Sequence, residues 1–172
     1  MRQSEIARVE KEYGFAGFYD LCLKPAGLKE YKLKDIILKV SDIFKEIKPD
    51  TVIMPFKDDA HSDHRVVFDA VSACTKSFRY PFVKTVLLMD ILSETNFSYR
   101  GRAFVPNYFV DVSDCFEKKI KIMSHYRGEM KRHPFPRSEK AIRALGVLRG
   151  TQAGCEYAEG FMLAKHITKG AA

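Results

Sequence analysis

A short polar stretch, Asp58–Arg65, gathers the side chains that are best suited to chemistry in this sequence. It contains two histidines, His61 and His64, close to the carboxylates of Asp59 and Asp63. Two residues three apart point the same way on a helical turn. A neighbouring carboxylate can fix the tautomer of an imidazole by accepting its second N–H, and either aspartate is a candidate for that role. Such a cluster can coordinate a metal ion or perform acid–base catalysis.

The same residues also fit a simpler interpretation, in which an aspartate-rich loop caps the next helix and its histidines are solvated. Two histidines do not complete a zinc site, because a catalytic zinc usually takes three protein ligands and leaves one position for water. The position of the stretch favours a function, since it directly follows a short apolar run, Thr51–Met54.

The elements around this stretch place it at the end of a strand. Thr51–Met54 reads as a short buried strand, and a helical pattern begins near Val66. In open α/β sheets, ligands bind at the carboxyl ends of the strands. The strongest helix signal precedes the strand: apolar residues recur at helical spacing from Leu33 until Pro49 stops the pattern.

The rest of the chain alternates helical patterns with short apolar runs. We predict helices over Arg2–Tyr13 and after an N-cap at Ser138, and strands at Phe15–Leu23, Phe82–Ile91 and Tyr108–Val112. Tyr157–Ile167 reads as a strand or a short helix. This alternation predicts an α/β fold with a mostly parallel sheet.

Composition sets the broad class of protein. At 172 residues, 46% hydrophobic and 30% charged, the sequence suits one globular domain over residues 1–172, and no apolar run reaches membrane-spanning length. The four cysteines form no C-x-x-C pair, which favours reduced thiols in the cytoplasm. The net charge of +7 would suit nucleic acid, but no recognition module is present. An anionic substrate, such as a phosphorylated, nucleotide-linked or lipid-linked sugar, suits the charge equally well, and basic side chains on solvated helix faces are the simplest explanation of it.

Several motifs, in order, resemble those of the PIG-L/LmbE zinc-dependent N-deacetylases. They are an R-x-x-E helix start at Arg2–Glu5, D-x-H-x-D-H-R at Asp59–Arg65, S-E-T at Ser93–Thr95, P-R-S at Pro136–Ser138, and R-G-x-x-x-G-x-x-Y-A-E-x-F at Arg149–Phe161. The resemblance covers nearly the whole chain. It implies a Rossmann-like, three-layer α/β sandwich and hydrolysis of the N-acetyl group of an N-acetylglucosamine-type sugar.

The resemblance also implies roles for individual residues. His64 corresponds to a zinc ligand. His61 would stabilise the oxyanion or act as an acid, with Asp63 as its partner. Arg2 and Tyr157 would contact the substrate, Tyr157 by helping to polarise the acetyl carbonyl.

One family motif has no counterpart in this sequence. The other two zinc ligands and the general base of the family lie in an N-terminal A-H-P-D-D motif, so the chain resembles the family's C-terminal three quarters, without its first strands. We therefore expect weak zinc binding at most and no deacetylation from these residues alone. The alternative is an inactive remnant that serves as a binding or assembly module, whose exposed sheet edge would favour a homo-oligomer.

Overall fold

The computed structural model describes residues 2–99 and 101–170, without the side chain of Arg2. The chain forms two compact units, and each is assembled from two separate segments. One unit, the N-terminal unit, comprises residues 1–19 and 109–160. The other, the strand unit, comprises residues 20–108 and 161–172.

The element order confirms an α/β protein. The helices are α1 (Arg2–Tyr13), α2 (Leu33–Ile47), α3 (Ser62–Ala73), α4 (Phe116–Met123) and α5 (Glu139–Ala153), and the strands are β1 (Thr51–Pro55), β2 (Thr85–Met89), β3 (Tyr108–Asp111) and β4 (Ala158–His166). Short 3-10 turns lie at Leu28–Glu30, Thr95–Phe97 and Ser113–Cys115.

The four strands form one sheet in the order β1-β2-β4-β3. Strands β1 and β2 are parallel, with Val52 opposite Val86. Strand β4 runs antiparallel to β2, and its register shifts between Val86 and Leu87. The sheet is therefore mixed, whereas the sequence predicted a mostly parallel one; the apolar pattern of β4 does not encode its direction.

The core of the strand unit lies on β1 and β2. Both strands are short apolar runs, and they bury Val52, Met54, Val86 and Leu88 together with Phe56. Helices α2 and α3 cover this cluster with side chains at helical spacing, namely Ile37, Val40, Phe44, Phe68 and Val71. Helix α2 ends where Lys48 adopts a left-handed conformation (φ 53°), just before Pro49.

The N-terminal unit is built mainly from helices α1, α4 and α5. Helix α5 begins as predicted at Ser138, whose side chain accepts a hydrogen bond from the amide of Ala141. Within α5, Gly146 lies against the ring of Phe116, which stacks on Tyr157 with ring centroids 4.1 Å apart. A β-carbon at position 146 would come within 2.6 Å of the Phe116 ring, so this packing requires glycine.

Two sequence predictions about these elements are corrected. The segment Phe15–Leu23 contains no strand; its aromatic composition suggested one, but a strand also needs a partner, and Phe15 and Phe18 instead line a cavity of the N-terminal unit. Helix α3 begins at Ser62 rather than near Val66, so Asp63 and His64 lie in its first turn. No helix in the described part of the chain is long and apolar enough to cross a bilayer.

Candidate active site

The histidine stretch lies at the carboxyl end of two neighbouring parallel strands. Strand β1 ends at Pro55 and leads into the stretch, while β2 ends at Met89 and leads to the 3-10 turn that carries Thr95. Parallel strands end at the same edge of a sheet, and this arrangement brings Thr95 within hydrogen-bonding distance of Asp59, 36 residues earlier.

Asp59 is the centre of the site. Its side chain is fully buried, and both carboxylate oxygens accept hydrogen bonds. Oδ1 accepts from the amide of His61 at 2.8 Å and from Nδ1 of His64 at 3.0 Å. Oδ2 accepts from the hydroxyl of Thr95 at 2.9 Å. One carboxylate therefore holds the loop backbone, the His64 ring and the turn after β2.

These contacts keep Asp59 ionised. Burial alone would raise the pKa of its carboxyl group, because a low-dielectric surrounding disfavours the charged form. The hydrogen bonds from His64, the His61 amide and Thr95 outweigh burial, and the pKa of Asp59 is lowered. An ionised carboxylate only accepts hydrogen bonds, so the Nδ1 atom of His64 must carry a proton.

In their neutral forms, the two histidines differ at Nε2, which is an acceptor in His64 and a donor in His61. In a neutral His64 with its proton on Nδ1, Nε2 carries a lone pair and can bind a metal ion. In His61, Nδ1 accepts a hydrogen bond from the amide of Asp63 at 3.1 Å, so the proton of the neutral ring lies on Nε2. The two rings stack with centroids 4.7 Å apart. The site thus offers a metal ligand beside a hydrogen-bond donor.

His61 also has a structural role as the N-cap of α3. The resemblance implied that Asp63 is its partner, and the contact between them runs through the backbone amide of Asp63. The Asp63 carboxylate, which is buried, accepts a hydrogen bond from the amide of Leu28 at 3.1 Å. Asp63 therefore ties the start of α3 to the 3-10 turn at Leu28–Glu30, and Asp59 is the carboxylate that orients an imidazole.

Arg65 fixes the backbone of the loop. Its Nη1 atom donates to the carbonyl oxygens of Asp59 and Ala60 at 2.6 and 2.7 Å. Thr95 and Arg65 were not among the predicted site residues, although both lie in the motifs named above. Their signals were the S-E-T triplet after β2 and the arginine that closes D-x-H-x-D-H-R.

The remaining predicted site residues belong to the N-terminal unit. Arg2 begins α1, and its side chain lies outside the described residues. Tyr157 precedes β4; its ring stacks on Phe116 and its amide donates to the hydroxyl of Ser113 at 3.2 Å. Described residues of this unit line a cavity of about 370 Å³, whose walls are mainly apolar side chains such as Phe15 and Phe18, and a polar cavity of about 210 Å³ whose lining includes Arg8.

The described residues do not fit a complete zinc site. Across residues 2–99 and 101–170, no three histidine, cysteine, aspartate or glutamate side chains are grouped so that they could hold a metal ion. His64 is oriented as a single ligand, and its neighbour Asp59 is already committed to three hydrogen bonds. A catalytic zinc needs more protein ligands than these residues supply.

Comparison with known proteins identifies relatives of this chain. Residues 1–75 match the model of the PIG-L family, described as GlcNAc-PI de-N-acetylase. The diacetylchitobiose deacetylase of Thermococcus kodakarensis is 24% identical over 135 residues. That alignment covers 74% of this chain and 49% of the archaeal protein, so the chain spans about half the length of this curated relative.

Solved structures share the fold at lower identity. An N,N'-diacetylchitobiose deacetylase from Pyrococcus horikoshii superposes with a TM-score of 0.71 at 21% identity, covering 97% of this chain and 66% of that chain. The conserved protein TT1542 from Thermus thermophilus gives 0.70 at 19%, covering 98% and 75%. GalB, the 4-carboxy-2-hydroxymuconate hydratase from Pseudomonas putida, gives 0.71 at 16%, covering 99% and 74%. The same fold thus carries two different reactions.

Proposed function

We propose that this chain is a deacetylase of the PIG-L/LmbE type, because the PIG-L family model matches residues 1–75 and a diacetylchitobiose deacetylase is 24% identical to it. In this proposal the histidine stretch serves the hydrolysis of the N-acetyl group of an N-acetylglucosamine-type amino sugar. The observation that carries the proposal is that, at the carboxyl edge of the sheet, Nε2 of His64 presents a lone pair while Nε2 of His61 presents an N–H. A site whose two Nε2 atoms presented the same group would lack either the metal ligand or the hydrogen-bond donor of the proposed reaction.

His61 provides the hydrogen-bond donor of this reaction. Attack on an amide carbonyl develops negative charge on its oxygen, and a donor placed beforehand stabilises that charge. The Nε2–H of His61 is such a donor, and the amide of Asp63 keeps the proton on that nitrogen. Because His61 is also the N-cap of α3, its ring is held in place before any substrate binds.

His64 is the metal ligand of the proposal, and Asp59 is its positioning residue. Zinc, when bound, would supply Lewis acidity and a water of lowered pKa. The described residues complete no such site, so we propose that on their own they bind zinc weakly and that His64 accounts for the binding that occurs.

The proposed substrate is a sugar with an acetylated amine. The archaeal relatives are named as diacetylchitobiose deacetylases, and these names support the acetylated amine of a glucosamine unit as the first candidate. Arg2 and Tyr157 are proposed to contact it. The net charge of +7 suits a substrate that also carries phosphate, as a nucleotide-linked or lipid-linked sugar would.

The second candidate is a binding or assembly module without catalytic activity. Two observations favour it: the described residues supply no three-ligand group, and β1 lies at the edge of the sheet with Ile53 exposed. An exposed apolar edge strand is a template for pairing with another chain.

The test is acetate release from N,N'-diacetylchitobiose and N-acetylglucosamine with zinc supplied. The chain is compared with His64→Ala, His61→Asn and a control, His166→Ala, in which a histidine of the strand unit outside the site is removed. We expect His64→Ala to abolish zinc binding measured by calorimetry. We expect His61→Asn to keep the fold and the zinc but to lose any acetate release, while the control changes neither readout.

Two results would overturn parts of this proposal. Zinc binding that is unchanged in His64→Ala removes the ligand assignment. Acetate release that is equal in the original chain and in His61→Asn removes the role of His61 as the hydrogen-bond donor.

A further inference from the structure

The end of the strand unit remote from the histidine stretch brings three segments together. These are residues 46–50, at the end of α2 and after it; residues 75–85, before β2 and at its start; and residues 165–169, at the end of β4 and after it. The amides of Lys84 and Thr85 donate to the carbonyl of Asp50 at 2.7 and 2.9 Å, and the amide of Ile167 donates to the carbonyl of Lys84 at 3.1 Å. We name this surface the basic end.

Cations dominate the basic end. Its acidic residues are Glu46 and Asp50, whereas its basic residues are Lys48, Lys76, Arg79, Lys84, Lys165 and Lys169. Partial burial, and then the positive charge of Lys84, lower the pKa of Lys165, whose Nζ donates to the carbonyl of Thr75 at 2.6 Å. The surface therefore carries repulsion between like charges, which an anionic partner would relieve.

A strongly exposed aromatic side chain lies among these basic residues. Phe78 is 78% exposed, with the guanidinium carbon of Arg79 lying 5.3 Å from its ring centroid. The turn that carries it is anchored, because Tyr80 is buried and its hydroxyl donates to the hydroxyl of Ser41 at 2.8 Å. Ile47 and Ile167, from the other two segments, are 51% and 42% exposed.

We propose that the basic end binds the surface of an anionic lipid bilayer, with Phe78 entering the boundary between headgroups and acyl chains. Basic side chains gain from anionic headgroups, and aromatic and aliphatic side chains gain from burial at that boundary. A single-stranded nucleic acid would use the aromatic ring for base stacking but would leave both isoleucines in water. The association is peripheral, and no described helix is suited to spanning the bilayer.

Co-sedimentation with vesicles tests this proposal on the whole chain. We expect binding to equimolar phosphatidylcholine and phosphatidylserine that weakens with salt, and little binding to pure phosphatidylcholine. Each basic residue at a membrane surface contributes about five-fold to binding, so Lys76→Ala with Arg79→Ala should weaken binding about 25-fold. The Phe78→Ser variant should weaken it as well, with no loss of thermal stability.

Matched controls separate this surface from general charge attraction. Lys32→Ala with Lys34→Ala removes two cations beside the start of α2, and Leu38→Ser removes an exposed apolar side chain from its middle. Both controls should bind the mixed vesicles nearly as well as the original chain. If the controls weaken binding as much as the substitutions at the basic end, the proposal is wrong. Tight binding of single-stranded RNA together with no binding to either vesicle would also overturn it.

Discussion

Replacing Thr95 with valine should destabilise the protein although it changes the side chain very little. The substitution exchanges the hydroxyl for a methyl of similar size in a buried position. The hydroxyl oxygen accepts a hydrogen bond from the amide of Ile91 at 2.8 Å, and the hydroxyl donates to the buried Asp59 carboxylate at 2.9 Å. Valine can do neither, so one amide and one carboxylate oxygen each lose a partner.

The expected cost follows from these two bonds. A neutral hydrogen bond contributes about 1 kcal/mol to the free energy of unfolding, and one to a charged group about 2 kcal/mol. Thr95→Val should therefore lower the free energy of unfolding by about 3 kcal/mol. The matched control is Thr95→Ser, which keeps the hydroxyl and should cost about 1 kcal/mol for the lost methyl group.

Urea unfolding followed by circular dichroism measures both variants. If the hydroxyl is what matters, the midpoint for valine falls well below that for serine, with equal slopes. A valine variant within about 0.5 kcal/mol of the original chain would contradict this reasoning, since that is the usual effect of an inconsequential substitution. Equal losses in the two variants would do so as well, because they would assign the effect to packing.

Three further outcomes are expected. Gly146→Ala should lower the free energy of unfolding by about 1–3 kcal/mol, and with it the melting temperature, because the added methyl group overpacks against the Phe116 ring. Gly128→Ala should not lower the melting temperature, because position 128 has open space beside it. The hydrogen bonds from Arg143 lower the pKa of Glu117 in the folded protein. The stabilisation from this pair is therefore present above the unfolded pKa of Glu117 and is lost as pH falls through the folded pKa. Between about pH 7 and about pH 3, the stability of Arg143→Gln should fall less than that of the original chain. His61→Ala should cost about 1 kcal/mol in urea unfolding through the lost helix cap, and His61→Asn should restore most of it.

Local patterns predicted the elements that depend on local physics. The apolar spacing of α2, the Ser138 cap and the short apolar run of β1 are each encoded within a few residues, and the structure confirms them. The strand predicted at Phe15–Leu23 does not form, because aromatic composition indicates a strand only where a neighbouring strand offers hydrogen bonds.

The sequence predicted that the histidine stretch follows a strand, but it did not predict which contacts its two aspartates make. The sequence contains Asp59 and Asp63 at almost equal distance from the histidines, and either could hold a ring. Their roles are decided by distant partners, namely Thr95 for Asp59 and the amide of Leu28 for Asp63. Histidine is also outside the usual set of helix-capping residues, so the sequence did not indicate that α3 begins at Ser62.

The position of β4 in the sheet has a consequence during synthesis. Residues 161–166 pair with β2, yet they are translated long after residues 85–89 have left the ribosome. Until residues 161–166 are made, the edge of β2 that pairs with β4 has no partner from this segment. The strand unit therefore completes its sheet late, through a contact between distant parts of the chain, and pairing over such a long sequence separation slows folding.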